Sequence, residues 1–238
     1  MRTFLITSPR IKRKISCKGG ISLYKRLAIT TVLLCFVLLF SPSLQGENVC
    51  WEEVVKENYS LLEEDPEDIF LNFQLGVSYA KTGRVEPAFE KLNTLKDLGG
   101  EKIKSQVPEY YQNKLGENNT KDYIKNLSYL SFAYYANNEN HRAKESFKEL
   151  ISVEPDNIWN YNYLALVHRE LEEYQEAQNL LQQSLDIENN NYTRFLLGVA
   201  YYDQGKVFRA LVQVGRAGSV AVKILNYSNS EVEINNDL

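Results

Sequence analysis

The apolar positions in the second half of the chain fall on paired helical faces. Leu127, Leu130 and Tyr134 are spaced three and four apart and share one face of a helix. Ala143, Phe147 and Leu150 share one face of the next. The pattern then recurs as Tyr161, Leu164 and His168, followed by Ala177, Leu181 and Ser184, with 34 residues from Ala143 to Ala177. Small residues at Ser131 and Ala165 let the first helix of each pair approach the second. Neither helix alone can bury its apolar face, so units of this kind stack on their neighbours.

The same spacing finds two outer copies. One is Leu75, Gly76 and Tyr79 with Gly83, Ala88 and Leu92; the other is Leu197, Gly198 and Tyr201 with Gly205, Ala210 and Val214. Ala177 to Ala210 is 33 residues, but Ala88 to Ala143 is 55, which leaves an insertion between the first two units. Asn72 and Arg194 stand where a large apolar residue is usual, with Phe73 and Phe195 beside them.

These residues resemble the tetratricopeptide repeat (TPR), a helix–turn–helix unit of 34 residues. The resemblance covers roughly residues 68–217. It implies an all-α fold, a TPR-type α-solenoid of antiparallel helix pairs, and a function in binding other polypeptides. Helices are predicted over 51–64, 69–82, 85–98, 121–136, 142–152, 159–171, 174–187, 192–204 and 207–217, with a closing helix over 219–227. Asp68 is placed to cap the second of them. Gly99 and Gly100 break the pattern. The insertion then has the apolar spacing of one more amphipathic helix, interrupted near Pro108. The repeat region spans 49–227: a half repeat at 51–67, repeats at about 69–100, 124–157, 158–190 and 191–224, and the insertion at 101–121. A polar tail follows over 228–238.

Charge divides the chain. The first 46 residues hold eight basic residues and no acidic one, whereas the remainder carries a net charge of −12. Nucleic acid is an unsuitable partner for so acidic a body. The basic leader 1–26 precedes an uncharged run, 27–45. At 1.5 Å per residue that run makes roughly 28 Å of helix, just enough to span a bilayer. It is read as an uncleaved membrane anchor, with a cleaved signal peptide as the alternative. Either places the repeats outside the cytoplasm: single-pass membrane, periplasmic in a bacterium, or secreted after cleavage. Cys17 and Cys35 fall in the leader and its apolar run, so Cys50 has no disulfide partner within the repeat region.

Catalytic chemistry is not evident. The two histidines, His141 and His168, form no cluster; His168 takes a packed position and His141 begins a helix. No phosphate loop, paired cysteine motif or metal-spaced group is present in the sequence, so neither an enzyme nor a cofactor is expected. The carboxylate clamp of some TPR domains is also not expected, because Phe73, Val77, Tyr129 and Tyr163 occupy its positions.

The resemblance assigns the inner surface to the first helix of each unit. Its stripe is Phe70, Phe73, Val77 and Ala80; Lys125, Ser128, Phe132 and Tyr135; Trp159, Asn162, Leu166 and Arg169; and Tyr192, Phe195, Val199 and Tyr202. Eight of these sixteen positions are aromatic. An open stripe of that kind would be a binding surface for a protein or peptide, with Phe70, Phe73, Phe132, Tyr135, Trp159, Arg169, Tyr192, Phe195 and Tyr202 as contacts. The competing reading is a structural part of an envelope complex or self-assembling scaffold, in which the insertion or closing helix fills the groove and the stripe is core.

Overall fold

The computed structural model describes residues 49–116, 120–224 and 226. The basic leader, the 27–45 run and the 228–238 tail lie outside the described residues. Nine α-helices and no strand are found among the described residues. They are α1 (Trp51–Glu64), α2 (Ile69–Lys81), α3 (Val85–Lys114), α4 (Thr120–Ala136), α5 (Asn140–Val153), α6 (Ile158–Glu170), α7 (Tyr174–Ile187), α8 (Asn191–Asp203) and α9 (Val207–Ala217). Each packs on the one before it. Among the described residues, no helix is long and apolar enough to cross a membrane.

Local chemistry sets the helix ends. The inner helices start at polar caps: Asp68 Oδ1 accepts from the Leu71 N–H at 2.7 Å, Asn157 Oδ1 from Trp159 at 3.1 Å, and Asn190 Oδ1 from Tyr192 at 2.9 Å. These acceptors satisfy backbone donors that a helix leaves unpaired in its first turn. The hairpin turns need a left-handed residue. Gly83 (φ 75°) and Gly205 (φ 71°) supply it in the outer units, whereas Asn138 and Glu172 (both φ 60°) take it in the middle units.

The small-residue positions are where helices meet. A Cβ added at Gly198 would lie 2.7 Å from Val214 Cγ2 and 3.2 Å from the Ala210 carbonyl; one at Gly76 would lie 3.3 Å from Lys91 Cβ. Asn72 is fully buried despite its polarity. Its amide nitrogen donates to the carbonyls of Pro66 and Asp68, both at 2.9 Å, and so ties the loop before α2 to the helix. Phe73 takes the apolar role beside it.

The insertion departs from expectation. The backbone bends at Gly99 (φ 138°), as the glycine pair suggested, but no break occurs at Pro108 and helix continues to Lys114. Proline removes one backbone hydrogen bond, and the burial of Val107 and Tyr111 on either side of it outweighs that loss. After α9, Gly218 (φ 60°) turns the chain and residues 219–224 are again helical. Ala217 and Ala221 there pack with Phe195, beside Val199 and Val214.

Candidate functional site

The inner stripe begins under the insertion. Phe73 is 0% exposed and lies 6.1 Å from the Tyr111 ring and 6.5 Å from Tyr129, centroid to centroid. Phe70 packs on Tyr110 at 4.8 Å. Tyr111 is held in place by Gln74, whose Nε2 donates to its hydroxyl at 2.8 Å. Burial drives the Tyr111 phenol well above its ordinary pKa, so it stays neutral. In the second unit Phe132 is 5% exposed, wedged between Tyr163 at 4.5 Å and Phe147 at 5.3 Å.

The middle of the stripe is closed by contacts from the far end of the sequence. The turn at Gly83 presses against the indole of Trp159, so close that an added Cβ would sit 2.1 Å from Trp159 Cζ2. Trp159 in turn meets Tyr192 edge-on at 6.0 Å. The Tyr192 hydroxyl donates to Glu86 Oε1 at 2.9 Å, across 106 residues of sequence.

A buried polar hub holds this closure. Lys81 Nζ donates to Glu154 Oε2 and to Asn160 Oδ1, both at 2.5 Å. Trp51 Nε1 donates to the other carboxylate oxygen of Glu154 at 3.1 Å, and Lys81 lies 4.9 Å from the Trp51 ring centroid. Asn160 Nδ2 adds a bond to Glu154 Oε2 at 3.2 Å. Burial pushes the Lys81 ammonium below its ordinary pKa and Glu154 pulls it back up. α1, α2, the α5–α6 loop and α6 are thereby fixed to one another.

The stripe is most open at its C-terminal end. Tyr135, Leu166, Arg169 and Val199 are half-buried, and Tyr202 is 67% exposed. Arg169 Nε bonds Asp203 Oδ2 at 2.5 Å, bridging α6 and α8. Burial, with Glu170 adding and Arg169 opposing, pushes the Tyr135 phenol up to about 12.

The expectation of a continuous open stripe is therefore corrected at Phe73, Phe132 and Phe195, which are buried side chains. The insertion covers the first, Tyr163 and Phe147 the second, and the residues after α9 the third. Phe70, Trp159 and Tyr192 are half-buried in contacts within the chain. Of the residues singled out in the sequence, Tyr135, Arg169 and Tyr202 remain together on the open end. The hub of Trp51, Lys81, Glu154 and Asn160 was missed. Its only sequence signal is polar side chains inside otherwise apolar stretches: Lys81 after Ala80, and Asn160 after Ile158 and Trp159.

His168 is buried at α6, its Nδ1 2.5 Å from Glu173 Oε2, and His141 is exposed at the start of α5. Among the described residues, no group of three or more His, Cys, Asp or Glu side chains is arranged to hold a metal.

Residues 161–187, which form most of the α6–α7 hairpin, match the family model described as tetratricopeptide repeat. That hairpin is a tetratricopeptide-repeat unit. No curated protein matches it. Among solved structures, this chain is similar to a crystal structure of MamA, at 18% identity over 74% of this chain and 92% of that one, with a TM-score of 0.40. It is similar to TTC0263, a thermophilic TPR protein in Thermus thermophilus, at 20% identity over 87% and 95%, with a TM-score of 0.40. It is also similar to MamA from Desulfovibrio magneticus RS-1, at 11% identity over 87% and 98%, with a TM-score of 0.38.

Proposed function

We propose that this TPR protein is a non-catalytic adaptor whose partner segment lies on the C-terminal end of the inner surface, over Tyr135, Leu166, Arg169 and Tyr202. One observation carries the reading: elsewhere the aromatic residues of the stripe are buried or packed against the chain itself, and the one fully exposed aromatic of the stripe is Tyr202. Exposed aromatic residues beside an arginine are the usual anchors of protein interfaces. The closed half acts as a rigid support and lowers the ordering cost of binding. A photo-crosslinking amino acid at position 202, introduced in the natural host, tests this. An adduct to a protein from position 202 and none from position 132 supports it; no adduct at position 202 sinks it.

The filled half also favours a second reading, a structural part that joins copies of itself. An adduct to a second copy of this chain at position 202 would select that reading.

We also propose that the repeats act outside the cytoplasm, tethered or exported by residues 1–45. The support is the basic leader followed by an uncharged run of spanning length. A reporter active only outside the cytoplasm, fused after Leu238, is expected to be active. Activity of a cytoplasm-only reporter there overturns the topology.

A further inference from the structure

The last helix of the described fold is unlike the others. α9 uses Ala210, Val214 and Ala217 to meet α8 and the chain that follows it. Its opposite side carries Val207, Phe208, Leu211, Val212 and Gly215, an arc of roughly 140° at 100° per residue. Phe208 is 87% exposed and Leu211 64%. Val222, in the turn of helix beyond, is exposed as well.

Repeat packing does not demand this face. Thirty-three residues earlier, α7 places Gln175, Gln178, Asn179 and Gln182 where α9 has Phe208, Leu211, Val212 and Gly215. In α5 the same register holds His141, Lys144, Glu145 and Lys148. In α7 and α5 these positions are exposed or pair with polar partners of the next unit, so the stacking of a further repeat does not call for apolar side chains there.

Charge changes at the same place. From residue 204 to residue 230 there is no acidic residue and there are four cations, Lys206, Arg209, Arg216 and Lys223. Residues 49–203, by contrast, have a net charge of −12. Arg209 and Arg216 border the apolar arc; Arg209 also lies 5.8 Å from the Tyr201 ring, over a shallow cleft shared with Phe208 and Val212.

We infer that α9 is an interfacial helix that rests on an anionic phospholipid surface, with Phe208, Leu211 and Val212 among the acyl chains and Arg209 and Arg216 at the headgroups. An apolar face with cations along its free edge and no acidic residue on its helix is what such a surface takes. A second copy docked face to face would bring cations against cations. A second copy docked by its acidic α1 would set Phe208 among Glu53, Glu57 and Glu64, where the exposed apolar side chains are limited to Tyr59 and Leu61. A flat layer of acyl chains under a negative headgroup plane satisfies both halves of the face.

The test uses the full chain carrying Phe208→Trp, reconstituted into vesicles with brominated acyl chains. Two compositions are compared, phosphatidylcholine alone and phosphatidylcholine with phosphatidylglycerol. The unsubstituted chain, with Trp51 and Trp159, sets the background. Quenching of the introduced indole above that background in the anionic vesicles alone is the expected result. Adding Arg209→Gln and Arg216→Gln should remove it, since two cations at about 1 kcal/mol each give roughly 30-fold in affinity. Adding Leu211→Asp should remove it too. Equal quenching in both compositions overturns the anionic assignment. No quenching in either overturns the membrane assignment, and crosslinks from position 208 to a protein would then give the face to an acidic partner helix.

Discussion

Lys81 and Glu154 are 73 residues apart in sequence, yet their charged atoms meet at 2.5 Å in the interior, with side chains 0% and 6% exposed. Lys81 Nζ also reaches Asn160 Oδ1 in the third unit, a contact that a solenoid whose repeats touch only their neighbours would not make. That contact, with the Gly83–Trp159 and Glu86–Tyr192 contacts, folds the first unit back against the third and fourth. Seven of the sixteen stripe positions become core, and the most exposed one is Tyr202.

The closure makes two similar glycines unequal. Gly83 and Gly205 share a left-handed backbone, so alanine at either costs roughly 1 kcal/mol in strain. A Cβ at Gly205 meets nothing within 4 Å, whereas at Gly83 it runs into the Trp159 indole at 2.1 Å. Gly83→Ala is expected to lower the melting temperature well beyond Gly205→Ala. Equal shifts would mean that the turn and the indole are not in contact.

Gly198 sits at the α8–α9 contact. Leucine there overpacks it, at a cost of roughly 1–3 kcal/mol. Chemical denaturation reads this directly, and a midpoint equal to the parent's would remove the contact from the account.

Phe132 and Tyr202 separate core from surface. Phe132→Ala should destabilise by roughly 3–5 kcal/mol, as buried phenylalanine truncations do. Tyr202→Ala should stay within about 0.5 kcal/mol of the parent and still lose partner crosslinks to a photo-crosslinking amino acid placed at position 169. A folded Phe132→Ala protein with the parent's melting point would reopen the groove.

His168 gives the fold a pH dependence. Burial holds its imidazole below the ordinary value of 6.5, against the pull of Glu173. The unfolded chain then takes up the proton first. Stability is present above the unfolded pKa and is lost as pH falls through the folded one. The melting temperature should drop as pH falls below the ordinary value of 6.5, and His168→Gln should flatten that drop. An unchanged slope in the variant would remove His168 as its source.

The helices were legible because their signals are local. The spacing of Ala143, Ala177 and Ala210, the cap at Asp68 and the turn at Gly205 can be read within one or two turns of chain. The burial of Phe73 and Phe132 was not, since it depends on where Tyr111 and Tyr163 come to rest. Pro108 misled because one missing hydrogen bond is outweighed by the packing of Val107 and Tyr111. The Lys81–Asn160 contact left no periodic trace: each looks like an ordinary residue near a helix end, and only the closed superhelix brings them together.

A double-mutant cycle on Lys81 and Asn160, which join the first unit to the third, tests the closure most directly. Lys81→Met strands the buried Glu154 carboxylate, at a cost of roughly 3–5 kcal/mol, and Asn160→Leu takes an acceptor from the buried ammonium, at roughly 1–3 kcal/mol. The double variant should cost well under the sum of the two, giving a coupling of about 1 kcal/mol or more. Additive losses, with no coupling, would contradict the closed inner surface.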